Sequence, residues 1–296
     1  MTSAELSRTG ELIRSLGALA EPPRLELAQV ADALELGPLA TEAEFTDLFV
    51  LQLVPYASVY LGPEGMLGGE ARDRVAGFWR ALGAVPPAEP DHLTVLLSFY
   101  AGLVEREESA VDDSEVNRYR LARAALFWEH LASWLPFYLE RVRHVGVEFY
   151  SRWAALLADV LLEEARLLGP PAEHPACFRE ASTLSDPRHD GADRFLDSLL
   201  APIASGAILT RTDLASWART TGAALRIGER RFVLKNLWSQ EPEQTATELA
   251  LFFERAAVEH RSAHGAFGLV ADEWSARASS SSKLLSDLAQ GLASGS

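Results

Sequence analysis

Cysteine is almost missing from this 296-residue chain. There is one, Cys177, so no disulfide can close within it. That suits a reducing compartment. Also missing is any apolar stretch near the ~20 residues that a bilayer-spanning helix needs. The first twenty residues have no basic start followed by an apolar run. They carry Glu5, Arg8, Glu11 and Arg14 at helical spacing, which predicts an amphipathic helix rather than a secretion signal. Positive charge is in deficit: 27 Lys and Arg stand against 42 Asp and Glu, a net charge of −15. Such a chain repels a phosphate backbone and an anionic lipid surface, and it draws basic peptides toward itself. These shortages predict a soluble, cytoplasmic protein with no nucleic-acid partner and no stable membrane insertion.

Marks of catalysis are scarce as well. The sequence has no Gly-x-Ser-x-Gly elbow, no Walker-type phosphate loop and no Gly-x-Gly-x-x-Gly turn. A helical di-iron site needs two Glu-x-x-His pairs, and only Glu89–His92 fits. His260 and His264 stand four apart, but Arg261 follows where a zincin has glutamate, so they read as a solvated helix end. His174 and Cys177 form an isolated pair beside Pro175 and read as structural. Glu163 and Glu164 are adjacent, do not share a helix face, and read as an exposed polar surface. No catalytic residue, metal ligand or cofactor is predicted.

What the chain has in abundance is helical periodicity. Hydrophobic residues make up 48% and charged residues 23%, enough to bury a sizeable core. Over 89–106 the residues Leu93, Leu96, Leu97, Tyr100, Leu103 and Val104 form one stripe. The stretches 147–168 and 245–263 repeat the pattern, and no stretch alternates long enough for a strand. The prediction is an all-α fold: a single compact helical domain of about ten or more helices. Residues 1–20 form an N-terminal helix and 21–270 the main domain, with 169–190 as a hinge or insertion after Gly169-Pro170-Pro171. Residues 271–296 form a Ser-rich, mobile extension with a short helix around 284–288.

One short segment stands out. Pro86-Pro87-Ala88-Glu89-Pro90-Asp91-His92 leads straight into the apolar stripe. Pro90 suits a first helical turn, and Asp91 would sit at the positive helix end, with His92 packed or capping. By itself this reads more as a well-made helix start than as a site, and an enzyme using an Asp91/His92 carboxylate–imidazole pair is the less favoured functional alternative.

The segment Glu89-Pro90-Asp91-His92-Leu93, followed by Leu96, Leu97, Phe99, Tyr100 and Leu103, resembles the signature of the TorD/DmsD/NarJ family of molybdoenzyme-specific chaperones. Upstream, Val54-Pro55-Tyr56, Tyr60, Gly65, Gly68-Gly69, Phe78-Trp79 and Gly83 are similar to that family. So are His130-Leu131 with Trp134-Leu135-Pro136-Phe137, and later Ser205-Gly206, Leu209-Thr210-Arg211, Asp213-Leu214 and Gly228-Glu229-Arg230-Arg231. The resemblance spans roughly 41–260 and departs from shorter members at 169–190 and in the C-terminal extension. It implies an all-α, non-catalytic protein that binds the twin-arginine leader, or the N-terminal region, of a molybdoenzyme catalytic subunit. Such a chaperone assists molybdenum cofactor insertion before export. The leader-binding residues it implies are Asp91, His92, Glu89 and Pro90, with Tyr56, Tyr60 and Trp79 as walls. A helical protein-binding scaffold without leader specificity remains the alternative, and the chain is expected as monomer or homodimer.

Overall fold

The structure, a computed structural model, describes residues 3–63, 65–222 and 228–294; the side chains of 3–7 and of His264 lie outside that description. Among the described residues every regular element is helical, and one isolated antiparallel bridge joins Tyr56 to His92. The all-α expectation holds. By internal contacts the chain groups into two compact units: Met1–Ser58 with Leu67–Pro171, and Val59–Met66 with Ala172–Ser296. The break after Pro171 has a local cause. Gly169 leaves the preceding helix at φ 73°, and the two prolines after it cannot continue that helix.

In the first unit the chain runs through α1 (Ser3–Ala18), α2 (Leu25–Ala33) and α3 (Glu42–Phe45), which continues as a π-helical turn over Thr46–Gln52. The start of α4 (Ala57–Leu61) follows, then α5 (Gly69–Ala81), α6 (Leu93–Ser109) and α7 (Asp113–Leu126). A second π-helical turn, Phe127–Leu131, leads to α8 (Leu135–Val145) and α9 (Glu148–Leu168). Helix α6 is the axis of this unit. Its six stripe residues are all buried, each contributing on the order of 2 kcal/mol of burial. Helix α1 lies along it, and Gly17 allows the approach: a Cβ there would stand 3.2 Å from that of Leu97. The Trp153 indole of α9 donates to Leu16 O at 2.9 Å, and the Tyr138 hydroxyl of α8 donates to Leu53 O at 2.9 Å.

Inside the same unit Arg123 is buried among Glu107, Glu164 and Tyr100. It donates to Glu107 at 3.0 Å and to the Tyr100 hydroxyl at 2.9 Å, and it pairs closely with Glu164. The exposed-surface reading of Glu164 is thereby corrected. Glu163 is exposed and pairs with Arg166, whereas Glu164, one residue on, turns into the core where only a cation makes its charge tolerable.

The second unit contains α10 (Ala176–Glu180), α11 (Pro187–Asp190), α12 (Ala192–Leu200), α13 (Pro202–Ser205) and α14 (Arg211–Thr221). It continues with α15 (Arg230–Gln240), α16 (Pro242–Ser262), α17 (His264–Phe267) and α18 (Leu269–Ser294). The expected mobile extension is a correction. Residues 269–294 form one helix packed along α16, with Ala271, Trp274, Ala278, Ser281 and Leu285 buried at alternating steps of three and four; 295–296 lie outside the described residues. The serine run that suggested a loose tail is a contact seam. Ser281 donates to Ser205 O at 2.7 Å and Ser282 to Ala250 O at 2.9 Å, while Ser280 bonds back to Ala276 O at 2.9 Å. His260 is a second correction. It is buried, its Nε2 3.0 Å from Gly206 O, rather than solvated, and the side chain of its expected companion His264 lies outside the described residues.

Candidate functional site

The Glu89–His92 segment is not the first turn of a helix. Helix α6 starts at Leu93, and His92 is its N-cap with extended backbone (φ −65°, ψ 137°). Pro90 and Asp91 therefore precede the helix, and the expected placement of Pro90 in its first turn is corrected. The reason is a competing pairing. Ala57 N–H donates to Asp91 O at 3.0 Å and Leu93 N–H to Pro55 O at 2.8 Å, which holds 91–93 extended against 55–57. Each such bond satisfies a backbone group that would otherwise be stranded.

His92 caps the helix as one of its expected roles, whereas Asp91 does not serve the helix it precedes. The Asp91 carboxylate, 2% exposed, accepts the Ser58 N–H at 3.1 Å at the start of α4 rather than serving α6. His92 Nδ1 instead accepts the Thr94 N–H at 3.3 Å, as the cap of α6. The hydroxyl of Thr94 donates to Gly17 O at 2.9 Å, fixing the cap to the end of α1. One oxygen of Asp91 and the Nδ1 of His92 are thus each engaged with backbone. Pro90 is buried beneath the turn.

The surface of the turn is made by other groups. The half-buried Tyr56 ring meets the His92 imidazole edge to face with centroids 4.8 Å apart, and its hydroxyl donates to the exposed Glu89 carboxylate at 3.0 Å. Glu21, just beyond α1, brings a carboxylate oxygen 3.7 Å from His92 Nδ1. Burial holds the imidazole below its ordinary range, against the opposing pull of Glu21, Glu89 and Asp91. Because Nδ1 already accepts from Thr94, the neutral ring carries its proton on Nε2, and Glu21 is a neighbouring anion rather than a salt-bridge partner. The Tyr56 phenol is pushed up to about 12, first by burial and then by its bond to Glu89. The result is a turn with three carboxylates, an aromatic edge and a neutral imidazole.

Of the residues named from sequence, Glu89, Pro90, Asp91, His92 and Tyr56 come together. Tyr60 does not join them as an accessible wall: it lies in the 59–66 segment of the second unit and is 2% exposed. Trp79 is on α5, partly buried, stacked on Phe99 of α6 with centroids 3.7 Å apart. Glu21, Ser58 and Thr94 were not singled out by sequence. Glu21 stands before Pro22-Pro23 with no motif around it, and only the backbone pairing at 55–57 explains Ser58.

The other sequence-marked positions are structural. His130 is buried in the second π-turn against Phe78, and its carbonyl accepts the Trp134 indole N–H at 2.9 Å. Thr210 and Asp213 form a reciprocal capping box at the start of α14. Cys177 is buried, and His174 Nδ1 stands 4.0 Å from Glu273. No cluster of three or more potential metal ligands occurs among the described residues, and no described helix is long and apolar enough to cross a membrane.

Comparison with known proteins gives a consistent set of relatives. Residues 16–139 match the family described as nitrate reductase delta subunit. The chain is 30% identical over 141 residues to the chaperone protein TorD of Vibrio vulnificus strain YJ016, covering 44% of this chain and 66% of that protein. It is 31% identical over 134 residues to the chaperone protein TorD of Vibrio cholerae strain M66-2, covering 43% of this chain and 60% of that one. The matched stretch thus spans just under two thirds of these relatives' length, and the family match ends within α8, before the second unit's residues 172–296.

Proposed function

We propose that this chain, whose residues 16–139 match the family described as nitrate reductase delta subunit and which is similar to TorD chaperones, is a non-catalytic chaperone for a molybdoenzyme catalytic subunit. It binds the twin-arginine leader or N-terminal region of that subunit in the cytoplasm, assists molybdenum cofactor insertion before export, and holds no cofactor of its own. The observation that carries this reading is the turn at Glu89–His92: carboxylates of Glu21 and Glu89 flank an aromatic edge, with Asp91 behind them. Guanidinium groups are recognised by carboxylates that accept paired N–H donors, and by aromatic faces on which the planar cation lies. Glu89, Glu21, Tyr56 and His92 are the contact residues in this proposal. Asp91 and Pro90 position the turn.

The test is calorimetric titration of the full-length protein with a twin-arginine leader peptide and with the same peptide carrying lysines. Loss of one charged contact removes on the order of 1.5–3 kcal/mol, so Glu89→Gln is expected to weaken binding about tenfold or more. His92→Gln is expected to weaken it less, and the lysine peptide to bind less tightly than the arginine one. Equal binding of all peptides by wild type and Glu89→Gln would remove the turn from the binding surface. Failure of a free leader peptide to compete with the client would favour a scaffold.

A further inference from the structure

A groove of about 490 Å³ lies between α1 and α9. Leu12 of α1 and Val160 and Leu167 of α9 give it apolar walls. At its foot is Glu164, whose side chain is only 3% exposed. Asp159 and Glu163 stand exposed at the rim. The groove belongs to the first unit and shares no residue with the turn at Glu89–His92.

Donors are shared unevenly within the buried cluster to which Glu164 belongs. Glu107 uses both of its oxygens: Oε2 accepts from Arg123 at 3.0 Å and Oε1 from Arg120 Nε at 2.9 Å. Glu164 uses one. Arg123 Nε, at 3.1 Å, Arg123 Nη2 and the Tyr100 hydroxyl all donate to its Oε2. Its Oε1 accepts nothing among the described residues, and they do not seal it off, so it opens to the groove that Glu164 lines. A carboxylate oxygen between apolar walls gains more from a charged donor than one in open water, because the local dielectric is low. The rim adds to the same pull. Glu163 is neutralised by Arg166, whereas Asp159 has no ion-pair partner among the described residues.

We propose that this groove is a binding site for an aliphatic primary amine, with a free linear diamine as the ligand. One ammonium donates to Glu164 Oε1, the methylene chain lies on Leu12, Val160 and Leu167, and the second ammonium reaches Asp159. Residues 159 and 164 are separated by roughly 7.5 Å along the axis of α9, a span that a chain of about five methylenes covers. The site selects an ammonium over a guanidinium because it offers one oxygen and not two. A guanidinium makes its strongest contact as a bidentate fork, whereas a compact ammonium is served by a single acceptor. The proposal is thus independent of the leader-binding reading and differs from it in the cation preferred.

The test is an NMR titration of the full-length protein, read at the methyl groups of Leu12, Val160 and Leu167. The probes are 1,5-diaminopentane, 1-aminopentane, 1-pentanol, pentylguanidine and lysine blocked at both backbone ends. The diamine is expected to shift these methyls saturably and to bind severalfold more tightly than 1-aminopentane. Pentanol and pentylguanidine are expected to bind about tenfold more weakly than the diamine, or less. Asp159→Asn should bring the diamine down to the affinity of 1-aminopentane and leave the latter unchanged. Glu164→Gln should abolish binding of both amines. Because that change also takes an anion from Arg123, Leu12→Lys serves as a second variant: its own ammonium fills the site, and it should abolish binding while the melting temperature holds. Shifts equally strong with pentanol would reduce the site to an apolar surface and overturn the proposal. So would amine binding that neither Glu164→Gln nor Leu12→Lys alters. Tighter binding of blocked lysine than of the diamine would uphold the ammonium site and overturn the free diamine as its ligand, in favour of a lysine side chain.

Discussion

Burial acts on His130 more strongly than on His92. Enclosed in the second π-turn, His130 is pushed down to about 4, mainly by loss of water and secondarily by the positive charge of Arg74. In the unfolded chain the same imidazole titrates near ~6.5. The unfolded state therefore binds the proton first. The stability that neutral His130 contributes is present above pH ~6.5 and is lost as pH falls toward about 4, a total on the order of 3 kcal/mol. His92, also lowered by burial, adds in the same direction. Urea denaturation followed from pH 7 to 4 should show this loss, and His130→Gln should flatten the profile. An unchanged slope would mean that His130 is solvated in the folded state. Asp91 makes a different prediction. Because its carboxylate serves the Ser58 N–H, Asp91→Ala should destabilise by about 1–3 kcal/mol, whereas Glu89→Gln should leave stability near wild type and reduce peptide affinity. A sequence shows which residues stand together at a turn, but not which backbone group each one serves. Asp91 and His92 were legible as a pair, and the partner of Asp91 depends on a contact with residues 55–58 that lie more than thirty positions away.

At the scale of elements, periodicity was a good guide wherever one face alone is buried. The stripe of α6 lies as its spacing predicts, because Leu and Tyr at steps of three and four have one way to leave water. It failed at α18, where the contact is made by small residues. Alanine and serine carry little hydrophobic signal, yet their size lets α16 approach closely, and the serine hydroxyls bond to carbonyls within the unit. Arg277 completes the seat. Buried on α18, it donates to Phe178 O at 3.0 Å, Ser182 O at 3.0 Å and Ile203 O at 2.7 Å, joining α18 to α10, the residues after it and α13. Arg277→Met should strand those carbonyls and lower the stability of the second unit by about 3 kcal/mol or more, read as an earlier thermal transition. Gly206→Ala should act at the same contact. Gly206 holds φ 84°, and an added Cβ would run into the backbone of Ala278. If both variants melt like wild type, α18 is not integral to the unit.

For the whole molecule, the unit boundaries were less legible than the helices. Gly169-Pro170-Pro171 was visible as a break, but the eight residues Val59–Met66 group with the second unit although they sit between parts of the first, and nothing in their composition says so. The family match likewise ends at 139 and does not reach the second unit's residues 172–296. Charge is the property that sequence does report for the molecule as a whole. A surplus of 15 negative charges sets up a field that reaches about one Debye length, ~10 Å at 0.1 M salt and ~3 Å at 1 M. On the proposed function, a leader with two arginines would enter that field before it touched the turn, so its association should be fast at low salt and slow steeply as salt rises. Dissociation would be governed instead by the proposed local contacts at Glu21 and Glu89, and should change less. Stopped-flow titration of a leader peptide between about 20 mM and 500 mM salt separates the two rates. An association rate indifferent to salt would mean that the peptide meets the protein without electrostatic steering, leaving the anionic surplus to solubility alone.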